Sequence, residues 1–181
     1  MRVAVLGGAG QLGREVLRAL AAREHTVCAV VRRPPNPMLP SGLEIRIADA
    51  RNDSETRAAI TGFDAVVNTI GAGTLRRNNV ESSTSLIAVA AAQRTGAKRY
   101  IAMSAGMVAL EWPLFEYVLR PLVFRNILAE HRRVEEIVKA STLDWTIVRP
   151  SALTNRPARG YDATLQLPRK AFITTRADVA A

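Results

Sequence analysis

Two kinds of apolar pattern alternate along this chain from one end to the other. Short runs of β-branched and aliphatic residues recur at Val3 to Leu6, Thr26 to Val31, Leu43 to Ile47, Ala65 to Ile70 and Arg99 to Ser104. Their length and composition are those of strands buried in a sheet. Thr146 to Val148 belongs to a sixth, which Pro150 terminates. Longer segments between them carry apolar residues at helical spacing. Gln11 to Arg23 places Leu12, Val16, Leu17 and Leu20 on one face. Asn52 or Asp53 can cap a shorter helix reaching Ile60. Ser82 to Thr95 is alanine-rich and stops at Gly96, and Asn126 to Ala140 carries alternating charge. Strands alternating with helices of this length need crossover connections between parallel neighbours, and a parallel sheet is covered on both faces. The predicted fold is one α/β domain over residues 1–181, a Rossmann-type doubly wound parallel sheet in three layers, α/β/α.

Three segments break this rhythm. Residues 32–42 hold four prolines and predict a loop. Residues 105–125 contain Trp112, Phe115, Tyr117 and Phe124, and residues 151–168 are loop-like and polar. The latter two follow the C-terminal ends of predicted strands, where open α/β sheets form their ligand crevice. They are expected on the substrate side, although the aromatics can equally serve to pack the insertion onto the domain. At the chain's end, Arg176 to Ala181 reads as a helix start capped by Thr175. It predicts that the domain is trimmed at this point or continues beyond it.

The first strand leads directly into Gly7, Gly10 and Gly13, spaced G-x-x-G-x-x-G, and these open the first helix. In such a loop the first glycine permits a tight turn. The second lets the backbone approach a pyrophosphate, and the third lets helix and strand pack closely. The helix N-terminus, entered through Gln11 and Leu12, offers unpaired N–H groups and a partial positive charge to phosphates. At the end of the second strand, an NAD site would carry Asp or Glu to hold the ribose hydroxyls. Arg32 and Arg33 stand there instead. A guanidinium can bind a 2′-phosphate bidentately, so NADP(H) is expected over NAD(H); the alternative is a pair of solvated arginines opening a loop. Asp49, followed by Ala50, is placed to accept from an adenine amino group, or else to cap a helix or form a surface turn. Ile70 and Gly71 follow the fourth strand, where a small residue lets the chain pass a cofactor.

Composition narrows the choice of partners. Cys28 is the only cysteine, so neither an internal disulfide nor a zinc cluster is expected; within CAVV it reads as a small buried hydrophobe. No metal is expected. The net charge of +9 is almost wholly arginine. It either attracts anions or reflects scattered, solvated side chains, with only Arg32-Arg33, Arg76-Arg77 and Arg132-Arg133 adjacent. No helix-turn-helix, RNA-binding aromatic motif or zinc site accompanies it, so direct nucleic-acid binding is not expected. No apolar run approaches the ~18 residues of a membrane span. The apolar start is too short for a signal peptide and runs into the glycine loop, so a cytoplasmic protein, monomeric or homodimeric, is expected.

The segments GGAGQLG, VVRR, the Asp49 turn, VVNTIG, RYIAMSAG and DWTIVRPSALT occur in this order. Together they resemble the atypical short-chain dehydrogenase/reductase-like proteins, most nearly the branch with biliverdin-IXβ/flavin reductase and the NmrA-like NAD(P)-binding proteins. The likeness spans about residues 1–178. It implies that the Gly7–Gly13 loop, Arg32, Asp49, Ile70-Gly71 and Ser104 line the cofactor. It further implies that the chain from Pro150 and Ser151 onward approaches the nicotinamide. Members of the family usually continue past the RADVAA segment with a helix and another strand.

Departures from the family's chemistry are equally informative. The Tyr-x-x-x-Lys pair of mainstream short-chain dehydrogenases is missing: Tyr117 is followed four residues on by Pro121, Tyr100 by Ser104 and Tyr161 by Leu165. Alcohol oxidation by the tyrosine route is therefore not expected. Ser104 is the catalytic candidate, able to donate to a substrate carbonyl or to the nicotinamide amide, unless it only ends a strand. Some flavin-reductase relatives carry a histidine after the proline that ends strand six; Ser151 and Ala152 occupy that place here. His131, on the charged helix, and His25, before a strand, read as solvated. Two functions follow as expectations. One is an NADPH-dependent reductase passing hydride to a small planar conjugated acceptor such as a flavin or quinone, which needs mainly cofactor positioning. The other is a non-catalytic NADP(H) sensor of NmrA-like type that binds a protein partner.

Overall fold

A computed structural model describes residues 1–34, 39–71, 79–109, 124–165 and 173–181. Six strands form one parallel sheet: β1 (Arg2–Leu6), β2 (Thr26–Val31), β3 (Glu44–Ile47), β4 (Ala65–Asn68), β5 (Arg99–Met103) and β6 (Asp144–Val148). Their order across the sheet is β3-β2-β1-β4-β5-β6. The chain winds outward from β1 in one direction through β2 and β3, then returns across it to β4, β5 and β6. That reversal is a topological switch point, located between β1 and β4.

Side-chain alternation along the strands assigns each residue to one of two cores. Val3 and Val5 of β1, with Val27, Ala29 and Val31 of β2, face α1 (Gln11–Ala22) through Leu12, Val16 and Leu17. Ala4 and Leu6, with Cys28, Val30, Val66 and Tyr100, face the opposite way. There they meet α2 (Asp53–Ile60), α3 (Val80–Thr95) and α4 (Arg125–Lys139). The sheet is thus covered on both faces, giving the predicted three layers. No helix among the described residues is long and apolar enough to cross a membrane.

Local chemistry sets the element ends. Asn52 caps α2 by accepting from the backbone N–H groups of Ser54 and Glu55, and Gly96 ends α3 at φ +77. The helix expected from Ser82 begins two residues earlier, at Val80. The backbone N–H of Ser82, one of the donors a helix start leaves unpaired, is met by Glu130 Oε1 of α4 at 2.8 Å. The sixth strand, to which Thr146 to Val148 were assigned, runs from Asp144, in register opposite Arg99.

Residues 151–168, expected as loop, instead contain β7 (Ala152–Thr154). It pairs in parallel with β8 (Ile173–Thr175) as a second, two-stranded sheet. The partner is distant in sequence, so no local pattern announces the pairing. Thr175 then caps α5 (Arg176–Ala180), as expected, by accepting from Asp178 N at 3.0 Å. Asp178 also accepts from the backbone of Arg159 and Gly160, so this short helix anchors the polar segment that follows β7. Trp112, Phe115, Tyr117 and Arg76-Arg77 lie outside the described residues.

Candidate functional site

The glycine loop is built by backbone constraints. Gly7 adopts φ +78, a conformation costly for any residue with a Cβ, and directs its N–H to Val30 O at 3.1 Å. Gly10 N closes the turn on Gly7 O at 2.8 Å. At Gly13 a Cβ would overlap the Gly7 carbonyl oxygen and stand 2.9 Å from Gly8 Cα, so α1 crosses the loop at a distance only glycine allows. Gly10 serves as N-cap of α1 without a side-chain hydrogen bond. The helix therefore begins with N–H groups available for an anion, the arrangement expected from the sequence.

In front of this loop, at the C-terminal ends of the strands, lies a cleft of ≈ 780 Å³. Gly7, Gly10, Gln11 and Leu12 form its floor, and Arg32, Asp49 and Ala50 lie at one side. Ile70, Gly71, Ser104, Pro150 and Ser151 lie at the other. The structure thus brings twelve of the fourteen expected residues around one cavity. Gly13 stands behind the loop as a packing residue. Arg33 is exposed and does not line the cleft.

On the β2–β3 side, Arg32 pairs with no carboxylate among the described residues. Asp49 is occupied: both its oxygens accept from Arg51, Oδ1 from Nε at 3.2 Å and Oδ2 from Nη2 at 3.0 Å. These bonds hold its carboxyl below the usual carboxylate range. The Asp49 side chain is therefore the clamp of a turn leading into α2, whose Glu55 in turn accepts from Asp49 N at 2.8 Å. Arg51, which the sequence did not single out, lines the cleft beside Arg32. Two guanidiniums and one carboxylate leave this end net positive.

Below the other side sits a polar hub. Ser104, 5% exposed, donates its hydroxyl proton to Glu135 Oε1 at 2.8 Å. Glu135 also receives Arg149 through Nε at 2.7 Å and Nη2 at 2.5 Å, and Lys139 at 3.1 Å. Burial pushes the Glu135 carboxyl up, but the Arg149, Ser104 and Lys139 bonds outweigh it and bring it down from 4.5 to about 2. Ser104 is consequently oriented by an ionised carboxylate, and its hydroxyl presents lone pairs, not a free proton, to the cleft. Behind it, Asn68 donates to Ser85 Oγ at 3.2 Å and to Tyr100 Oη at 3.0 Å. Burial raises the Tyr100 phenol to about 12, so this tyrosine stays protonated within the core.

His131 differs from its expected solvated state. Its side chain is 12% exposed, lines the cleft, and holds Nδ1 3.3 Å from Oε2 of Glu81 in the first turn of α3. Neither residue was expected in the site. A signal for His131 was present: Leu128, His131, Glu135 and Val138 follow the i, i+3, i+7 and i+10 spacing of α4's buried face. The dense charge of Arg132, Arg133 and Glu136 obscured it.

Comparison with known proteins agrees with this geometry. Residues 7–181 match the NAD(P)H-binding family, and the chain belongs to it. A Saccharomyces cerevisiae protein, UPF0659 protein YMR090W, is 31% identical over 194 residues, covering 99% of this chain and 84% of the yeast protein. The uncharacterised sugar epimerase YhfK of Bacillus subtilis is 29% identical over 188 residues, covering 99% and 85%. Among solved structures, ChuY from Escherichia coli O157:H7, described as an anaerobilin reductase, superimposes with a TM-score of 0.74. It is 22% identical and covers 99% of this chain and 87% of its own.

Proposed function

We propose that this protein is an NADPH-dependent reductase that passes hydride to a small planar conjugated acceptor of the flavin or quinone type. The observation that carries the reading is the order of groups along one cleft: Arg32 at one side, the glycine loop and open helix start in the middle, and Ser104, Pro150 and Ser151 at the other. A dinucleotide laid across the switch point puts its 2′-phosphate near Arg32, its pyrophosphate on α1 and its nicotinamide over the ends of β4 and β5. The cofactor would supply the hydride; the chain's own groups bind, orient and exclude water. No lysine-activated tyrosine is placed in the cleft among the described residues, and Tyr100 is locked in the core. That favours acceptors reduced by positioned hydride over alcohols oxidised through a phenolate. The reductase activity named for ChuY, a protein of the same fold, supports this class.

A second reading, an NADP(H) sensor of NmrA-like type with a protein partner, is favoured by one observation. The Ser104 hydroxyl, the catalytic candidate, is spent on Glu135. Turnover separates the two. Purified protein is mixed with NADPH, and FMN, FAD and simple quinones are added in turn while the nicotinamide band at ~340 nm is followed, because hydride transfer abolishes it. Acceptor-dependent loss supports the reductase. Saturable NADPH binding without loss, across the whole panel, supports the sensor.

A further inference from the structure

Glu81 and His131 form a largely buried acid–base pair on the wall of the cleft. His131 projects from α4 and Glu81 from the first turn of α3, so two helices distant in sequence supply one couple. Both side chains line the cleft, with exposures of 12% and 11%. The pair sits on the far side from Arg32. A Cβ built on Gly71, just after β4, would stand 3.6 Å from Glu81 Oε1. Nδ1 of His131 is 3.3 Å from Glu81 Oε2, a charge contact that is not aligned as a hydrogen bond. Among the described residues the ring's Nε2 makes no hydrogen bond, which leaves that nitrogen for a ligand.

We propose that His131 is the proton donor of the reduction and that Glu81 positions it and balances its charge. The inference rests on the reductase reading above and narrows its substrate class. A group built to give a proton fits an acceptor whose reduced form must be protonated on oxygen or nitrogen: a quinone, an enone or a conjugated imine. In the step, hydride from C4 of the nicotinamide would form a C–H bond at an electrophilic carbon of a quinone, enone or imine, or an N–H bond at N5 of a flavin, as the C4–H bond breaks. The electron pair displaced from the acceptor's π bond takes the proton from His131 Nε2. The nicotinamide is oxidised, the acceptor is reduced by two electrons, and His131 regains its proton from solvent.

Among the described residues, the charged groups around the pair have their own partners. On α4, Glu130 accepts from Ser82 N through Oε1, and Glu135 is held by Arg149, Lys139 and Ser104. Arg133 reaches only the second oxygen of Glu130, at 4.0 Å. From α3 the ionisable group facing the ring is Glu81, and from the end of β6 Arg149 is committed to Glu135. Among the described residues, the carboxylate that contacts His131 Nδ1 is that of Glu81.

The test compares wild type with His131→Gln, Glu81→Gln and Glu81→Asp, using 9,10-phenanthrenequinone and FMN as acceptors. Folding is checked by circular dichroism and NADPH binding by fluorescence. The expected wild-type kcat/KM declines towards alkaline pH as one proton is lost. H131Q is expected to lose on the order of 100-fold in kcat and to show no alkaline decline, with NADPH affinity unchanged. E81Q is expected to lower kcat with little change in KM, and E81D to restore part of it, a split that a packing role would not give. Wild-type turnover that H131Q preserves, with the same pH profile, overturns the proton donor and leaves the reductase standing. Absence of wild-type turnover with either acceptor, in protein that binds NADPH, overturns both. A misfolded H131Q shifts the decision to E81Q, where unchanged kcat overturns the proposal.

Discussion

Gly13 is a residue whose identity is dictated by what stands against it. A methyl group at Gly13 meets backbone, which cannot turn aside, so Gly13→Ala is expected to destabilise the fold by about 1–3 kcal/mol. The shift of the urea midpoint at unchanged slope measures it. If NADPH is bound as proposed, a charge-assisted bond from Arg32 to its 2′-phosphate would contribute roughly 1.5–3 kcal/mol, so Arg32→Glu should weaken NADPH binding by at least about tenfold while leaving NADH within about twofold. Equal losses for both cofactors would show that the arginine is not at the 2′-phosphate. Cys28, by contrast, lies within β2 and is buried in the core beneath the helices, and burial pushes its thiol to about 11. A thiol reagent should label it only as fast as the protein unfolds.

These residues were legible because each answers to a local rule: a turn needing glycine, a strand end needing a cation. Asp49 was half legible. Its position in the cleft was expected, but its capture by Arg51, two residues on, depends on a turn geometry that one-dimensional spacing does not encode. Glu81 was invisible because its significance comes from His131, which only the packing of α3 on α4 brings near.

At the scale of elements, strand and helix alternation carried most of the information. The inner strands β1, β2 and β4 are buried on both sides, so they are almost wholly apolar and the breaks around them stand out. The misjudged pieces, β7 and the first turn of α3, are those stabilised by partners far along the chain. Glu135 links three elements at once: α4, which bears it, the end of β5 through Ser104, and the end of β6 through Arg149. Its carboxyl titrates lower in the folded chain than in the unfolded one, so the unfolded state binds the proton more tightly. The resulting stability is present above 4.5 and is lost as the pH falls towards 2. The magnitude is on the order of 3 kcal/mol. Acid unfolding followed by circular dichroism should show wild type losing stability through that window. Glu135→Gln should be less stable at neutral pH and show a shallower acid dependence. An identical acid profile in both proteins would place the acid-sensitive group elsewhere.

For the whole molecule, the fold decides where a ligand goes and the charge decides which one. The reversal of winding between β1 and β4 opens the cleft, and the glycine loop sits at that point because it joins β1 to α1. A net charge of +9 and three cleft arginines, Arg32, Arg51 and Arg176, favour an anionic dinucleotide, and the attraction should weaken with salt. NADPH at about 100 times its Kd should add roughly 2.7 kcal/mol to the stability, visible as a rise in Tm. The parallel α/β/α layering and the place of the glycine loop were legible in the sequence because periodicity and the glycine motif are local signals. The proton-donating corner was not, since it exists only where helices converge.

Calorimetric titration of the folded wild-type chain with NADPH and with NADH, at one fixed salt concentration, tests the central claim most directly. The expected result is one site per chain, with NADPH bound at least about tenfold more tightly than NADH, the least that a charge-assisted phosphate bond provides. Equal affinities would contradict the role assigned to Arg32, and a folded chain that binds neither would contradict the cofactor cleft itself.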